Sequence, residues 1–202
     1  IVADERVDPE FGTGALKISG GTLNINSPTA LGSGTLTISG GAIDNAVKIG
    51  AKGFYFWGGH ADHFRATGDE KTFREWAAHA RSTGLPFGIA GHSPESHYWV
   101  DSMNVVDFHV VCFFNCGSIH NNRGHHFRLT DAIAATECIR RLRKPCIGYK
   151  IMAAGRIDPR MAFEFAFDNI KPTDVVNVGM HRGDNDNIIE DNVALVEKLL
   201  GT

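Results

Sequence analysis

From about Ile49 to the end of this 202-residue chain, short apolar runs rich in β-branched and aromatic residues alternate with helix-patterned stretches, with no hairpin signal between them. Strands that never turn straight back must be joined by crossovers, which implies a parallel sheet with helices packed on it. Strands are expected over residues 53–57, 86–90, 106–114, 146–152 and 174–178, and helices over 70–82, 130–143, 159–169 and 187–200, with a short irregular helix over 96–104. Helix starts are signalled by Asp69, by Thr130-Asp131, by Asp158 before Pro159, and by Asp186. Phe73, Trp76, Ala77 and Ala80 recur at helical spacing, as do Ile189, Val193, Val196 and Leu200, so these faces are expected to pack on the sheet. Such a pattern fits either an open doubly wound sheet or the later part of an eight-stranded barrel.

The beginning of the chain follows a different grammar. Gly14, Leu16, Ile18, Ser19, Gly20 and Gly21 recur twenty positions on as Gly34, Leu36, Ile38, Ser39, Gly40 and Gly41. Leu16 with Ile18, and Leu36 with Ile38, give each short strand one apolar face, and a single such rung needs stacked neighbours to bury it. The chain therefore divides into a β-repeat-like segment, residues 1–45, and an α/β domain, residues 46–202.

Two resemblances sharpen this division. The stretch from Thr13 to Leu23 and its echo resemble the autotransporter-associated β-strand repeat of bacterial surface passengers, which implies a scaffold without chemistry. The run Lys144-Pro145-Cys146-Ile147-Gly148-Tyr149-Lys150-Ile151-Met152-Ala153-Ala154-Gly155-Arg156, followed by a helix and then Thr173 to Met180, resembles the last βαβα portion of TIM barrels. It is similar in particular to the C-terminal region of aldo/keto-reductase-like and uncharacterised bacterial barrels. The fold this implies is α/β, a partial TIM barrel of about five βα units preceded by the short β-repeat segment. The reductase residues of that family lie mostly in earlier strands, so nicotinamide chemistry does not carry over and no nucleotide cofactor is expected. A third, short similarity joins Asp4 to Ile18 with the editing domain of valyl-tRNA synthetases. It ends at Ser19-Gly20-Gly21, so it implies no editing activity.

Composition excludes several classes of function. A formal net charge of -3 supplies no positive field for phosphate backbones or anionic lipid, so neither a nucleic-acid nor a membrane partner is expected. No apolar stretch reaches the roughly 18 residues of a membrane span, and Ile1 to Arg6 lack the pattern of a signal peptide. Cys112, Cys116, Cys138 and Cys146 lack CxxC spacing and read as reduced, core-located thiols, which suits a cytoplasmic location, whereas the β-repeat resemblance implies the cell surface.

Chemistry in a βα protein gathers beyond the carboxyl ends of the strands. His60, Asp62 and His63 follow the first expected strand and His92 the second, a ligand set suited to a divalent ion such as Zn, Mn or Mg, or else to turn capping by His60 and Asp62 with His92 a loop histidine. Strand alternation assigns Ile147, Tyr149 and Ile151 to the helix side and Lys150 to the barrel interior, where it would stabilise an oxyanion or carbonyl, form a Schiff base, or pair with a carboxylate. Arg156, His181 and Arg182 at later strand ends would orient an anionic group. His109 lies within a strand and reads as core, Cys116 is a weak nucleophile candidate near His120, and the run from His120 to His126 is a polar connection.

The expected function is a TIM-barrel-like enzyme that acts on a small polar metabolite, a sugar or hydroxy-carbonyl compound. It would work by metal- or Lys-assisted proton transfer or hydrolysis, with His60, Asp62 and Lys150 catalytic and His60, Asp62, His63 and His92 holding the metal. The alternative is a non-catalytic scaffold or fusion, self-associating through the open sheet edges.

Overall fold

The structure is a computed structural model and describes residues 41–48, 50–115, 128–180, 183 and 185–201. The β-repeat of residues 13–40, Cys116, the run from His120 to His126, His181 and Arg182 lie outside the described residues. Five strands form one parallel sheet: β1 (Phe54–Phe56), β2 (Phe87–Gly91), β3 (Phe108–Cys112), β4 (Cys146–Tyr149) and β5 (Val175–Asn177). The seven described helices are α1 (Gly41–Lys48), α2 (Gly58–Thr67), α3 (Glu70–Ser82), α4 (Pro94–Met103), α5 (Leu129–Arg141), α6 (Pro159–Asn169) and α7 (Ile188–Leu200). None of them is long and apolar enough to cross a membrane.

The strands lie in the order β1-β2-β3-β4-β5, each hydrogen-bonded to its successor. Right-handed crossovers between strands that always advance in one direction place every connecting helix on one face of the sheet. Burial agrees with this arrangement. Phe56, Phe87 and Ile89 pack with Phe73, Ala77 and Ala80 of α3 and with Val100 and Met103 of α4, while Val111 and Cys146 pack with residues of α5 and α6. A doubly wound sheet would instead carry helices on both faces, so the chain is α/β with the layout of a partial TIM-barrel-like fold.

The sheet's register fixes which side chains point where. Ile89, His109 and Cys146 lie side by side, as do Gly91, Val111 and Gly148, and all belong to the helix-covered face. The other face carries Tyr55, Phe108, Val110, Ile147 and Tyr149. This reverses the expected phase of β4: Cys146 and Gly148 turn toward the helices, and Ile147 and Tyr149 turn away. Gly148 is bare because a Cβ there would stand 2.7 Å from the Phe113 ring. Both faces of a parallel strand are apolar, so composition alone left the phase undetermined.

The N-terminal ends of the strands share one device. Asp107, just before β3, accepts the Phe87 N–H at 2.9 Å, and Asp174, just before β5, accepts the Cys146 N–H at 2.8 Å. Each carboxylate thus satisfies the first N–H of the neighbouring strand. Asp174 also accepts from the Lys171 N–H at 2.9 Å and pairs with Lys171 Nζ at 3.0 Å, its side chain fully buried. Lys171 Nζ further donates to the Ile139 carbonyl, and Lys144 Nζ to the Val106 carbonyl.

Helices α3 and α6 start where expected, capped by Asp69 on Thr72 N–H at 3.1 Å and by Asp158 on the N–H groups of Arg160 and Met161. Three expectations change. The irregular helix over 96–104 is a regular helix beginning at Pro94, with Ser93 as its N-cap. The stretch after β1 that read as a loop is helix α2. In α7 the packed face is Asn192, Leu195, Val196 and Leu199, and Val193 and Leu200 of the expected stripe are exposed. Helix α1 runs across the expected division at Asn45, with Ile43 buried in the core that holds Phe56 and Phe73.

The Asp174 device sets a measurable dependence. Asp174→Ala strands two backbone donors and one ammonium, and urea unfolding is expected to show a loss of about 2–3 kcal/mol. Asp174→Asn keeps an acceptor for Cys146 and is expected to lose about half as much.

Candidate functional site

The carboxyl end of β2 is where the chemistry collects. Helix α2 carries Asp62, and the chain leaving β2 carries His92 and then Ser93 and Ser96 at the start of α4. Asp62 Oδ2 lies 2.7 Å from His92 Nδ1, and the Ser96 hydroxyl donates to Asp62 Oδ1 at 2.6 Å. The His92 backbone N–H also points at Oδ1, at 3.5 Å. Because the Ser96 proton goes to Asp62, the 3.2 Å contact between the two serine hydroxyls must have Ser93 donating to Ser96. Ser93 in turn accepts from the Ser96 N–H as the N-cap of α4.

Protonation follows from these contacts. Burial pushes the Asp62 carboxyl up, but the hydrogen bonds from His92 and Ser96 outweigh it and hold the group below the usual carboxylate range. An ionised carboxylate only accepts, so His92 presents an Nδ1 proton to it. A carboxylate so placed fixes the orientation of the imidazole.

Behind His92 lies a cavity of about 120 Å³ walled by residues of β2, β3, α4 and α5, among them Gly91, His92, His97, Val111, Asn115 and Asp131. His97 is 1% exposed, and its Nδ1 lies 3.2 Å from Nδ1 of the buried His109 on β3. His109 Nε2 lies 3.5 Å from the Asp101 carboxylate. One of the two Nδ1 atoms donates to the other. His97 Nε2 lies over Gly91, where a Cβ would come within 2.9 Å of it.

Both imidazoles are held neutral. Burial, with the neighbouring His109, lowers His97 to about 3, the Gly91 backbone opposing weakly. Burial, together with Lys144 and Lys171, lowers His109 to about 3 as well. His109 is thus core, as its place in a strand implied. His97 was invisible to pattern reading because a histidine inside a helix carries no mark of burial.

The remaining sequence candidates disperse. His60 packs edge-on against Trp57 and Trp76, with ring centroids 5.6 and 5.5 Å away, and burial followed by the charge of His63 lowers its basicity. His63 is exposed and lies against Phe64. Of the four expected metal ligands, only Asp62 and His92 meet, and among the described residues no three His, Cys, Asp or Glu side chains are grouped as a metal site. Lys150 does not point into a barrel from a strand. It follows the end of β4 with φ of 58°, and its ammonium lies 5.5 Å from the Tyr149 ring centroid. Arg156 is exposed and donates to the Ala153 carbonyl at 3.0 Å, closing a turn in which Ala153 and Ala154 also have positive φ. Cys112, Cys138 and Cys146 are buried thiols, and burial pushes Cys138 up to about 12 and Cys146 up to about 11. Cys138 and Cys146 are therefore poor nucleophiles.

Compared with known proteins, the chain matches no protein-family model, and no curated protein matches it significantly.

The buried imidazole pair predicts an acid-sensitive fold. His97 and His109 titrate near 6.5 when unfolded and near 3 when folded, so their contribution is complete above pH 6.5 and is lost as pH falls toward 3. Each contributes a slope of up to about 1.4 kcal/mol per pH unit in that window. Urea unfolding between pH 5 and 6.5 should show this slope, and His109→Gln should reduce it by about half.

Proposed function

We propose that the domain catalyses proton transfer on a small hydroxy-carbonyl metabolite, with His92 as general base and Asp62 as the residue that orients it. The observation that carries this reading is the 2.7 Å bond from His92 to Asp62 at the carboxyl end of β2, beside the cavity. Asp62 fixes the imidazole tautomer and would stabilise the imidazolium formed when Nε2 takes a proton. Ser96 and Ser93 hold the carboxylate from behind, so the base is positioned by a continuous hydrogen-bonded chain. This reading moves the base from His60 to His92. His60 is walled by aromatic rings, whereas His92 stands at the cavity. Lys150, just past the end of β4, would supply positive charge to a developing oxyanion only if a substrate extends across the sheet.

Exchange of carbon-bound protons tests the reading directly. Incubated in D₂O with glycolaldehyde or dihydroxyacetone, the full chain is expected to speed loss of the proton signal α to the carbonyl above the buffer rate. Asp62→Asn and His92→Gln are each expected to reduce that rate by about 10²–10⁴-fold. Exchange no faster than buffer, or exchange in both variants as fast as in the parent chain, would overturn the reading.

A further inference from the structure

Gly58 and Asp62 stand four residues apart in α2 and so share one face of that helix, the face against which the His92 ring lies. Asp62 holds the ring by its Nδ1 at 2.7 Å. At Gly58 a Cβ would come within 2.9 Å of His92 Cε1 and 3.0 Å of His92 Nδ1, closer than packed carbon atoms approach. The next nearest atom is the Gly91 Cα at 3.4 Å, which is ordinary contact. The imidazole thus occupies the volume that a side chain at position 58 would fill.

Backbone conformation does not account for this glycine. Gly58 is the first residue of α2 and is not one of the glycines with positive φ. Alanine would fit the same backbone and is the better helix former. The hydrogen bond to Asp62 alone would leave the ring free to pivot about that contact, and the bare helix backbone beside it removes the freedom. A Cβ at position 58 would be relieved by rotation of the His92 side chain more readily than by movement of α2 or β2, because the ring borders the cavity.

We propose that Gly58 is a positioning residue for His92, its missing side chain being the seat in which the imidazole lies against α2 and reaches Asp62. The consequence for proton transfer rests on the acid–base reading, whereas the seating does not. Gly58 and Asp62 then form one cradle, a bare position and a carboxylate one turn further along the same helix.

The test compares Gly58→Ala with Gly59→Ala in the full chain labelled with ¹⁵N-histidine and ¹³C-aspartate. An alanine at position 59 makes the same change of helix propensity but meets the Trp57 ring instead, with its Cβ 2.4 Å from that ring in the parent geometry. Gly58→Ala is expected to abolish the low-field signal of the His92 Nδ1 proton. Asp62, held below the usual carboxylate range by its bonds from His92 and Ser96 against burial, is expected to titrate at higher pH in the same variant. Gly59→Ala is expected to leave both signals in place. In urea, Gly58→Ala is expected to lower the unfolding midpoint of the parent but to leave unchanged or raise that of His92→Ala, where the ring is gone and only the gain in helix propensity remains. Proton exchange on glycolaldehyde is expected to fall about 10²-fold in Gly58→Ala and to fall no further when Gly58→Ala is added to His92→Gln.

An intact His92 Nδ1 signal in Gly58→Ala, equal loss of that signal in Gly59→Ala, or a lowered midpoint when Gly58→Ala is added to His92→Ala would each overturn the proposal. A parent chain that shows the seating signals but no exchange would sink the acid–base reading alone, so the two failures are distinguishable.

Discussion

The carboxylate of Asp62 is the tie on which the organisation of the site depends. It sits on α2, a helix without a side-chain N-cap and with two glycines at its start, which packs on the core through Ala61 and Phe64. Three donors from the chain leaving β2 converge on its two oxygens: the His92 ring, the Ser96 hydroxyl and, at longer range, the His92 backbone N–H. Burial works against an ionised carboxyl here, and these bonds more than offset it. The same contacts that anchor α2 therefore also set the tautomer of His92. Structure and chemistry share one set of hydrogen bonds.

The two ends of the sheet use their charged groups differently. At the N-terminal ends, Asp107 and Asp174 cap the first N–H of a neighbouring strand, and Lys144 and Lys171 close over backbone carbonyls. Those groups are consumed by the fold. At the C-terminal ends, the Asp62–His92 pair sits beside a cavity, and at the end of β4 three non-glycine residues adopt left-handed backbone geometry within five positions. Such geometry costs roughly 1–2 kcal/mol per residue and persists only where packing enforces it. Here Ile151 and Ala153, both almost fully buried, supply that packing. The polarity of a parallel sheet with all its crossovers on one side thus separates a stabilising end from an end available for ligands.

What the sequence made legible follows from where local signals are strong. All five strands were readable because each is a short apolar run bounded by glycine, proline or acidic residues, and α3 and α6 because Asp69 and Asp158 cap them. Helix α2 was not readable, since Gly58-Gly59 after a strand gives the signature of a loop and Trp57 offers no capping oxygen. Asp62 and His92 were identifiable as residue types at adjacent strand ends. Their partnership was not, because it depends on α2 being helical and on contacts thirty residues apart. The metal-ligand grouping was expected from proximity in sequence, yet successive residues of a helix point in different directions, and His60 and His63 follow Trp57, Trp76 and Phe64 instead. Lys150 was assigned from strand alternation, but β4 ends at Tyr149, so the alternation stops before it.

The neutrality of the His97–His109 pair decides what kind of pocket this is. An imidazolium at the wall would turn the cavity into an anion site and would favour the phosphate or carboxylate reading suggested by Arg156. Burial opposes that charge, and for His109 the ammonium groups of Lys144 and Lys171 oppose it further. These two lysines belong to the stabilising end of the sheet, so groups that secure the strands also help to keep His109 uncharged. Arg156, meanwhile, is exposed and engaged with its own turn. With both imidazoles uncharged and the guanidinium directed elsewhere, the wall behind His92 combines alkyl surface from Val111 and Ala135 with neutral polar groups of His97 and Asn115 and the Asp131 side chain, so charge selection there does not come from a histidine cation.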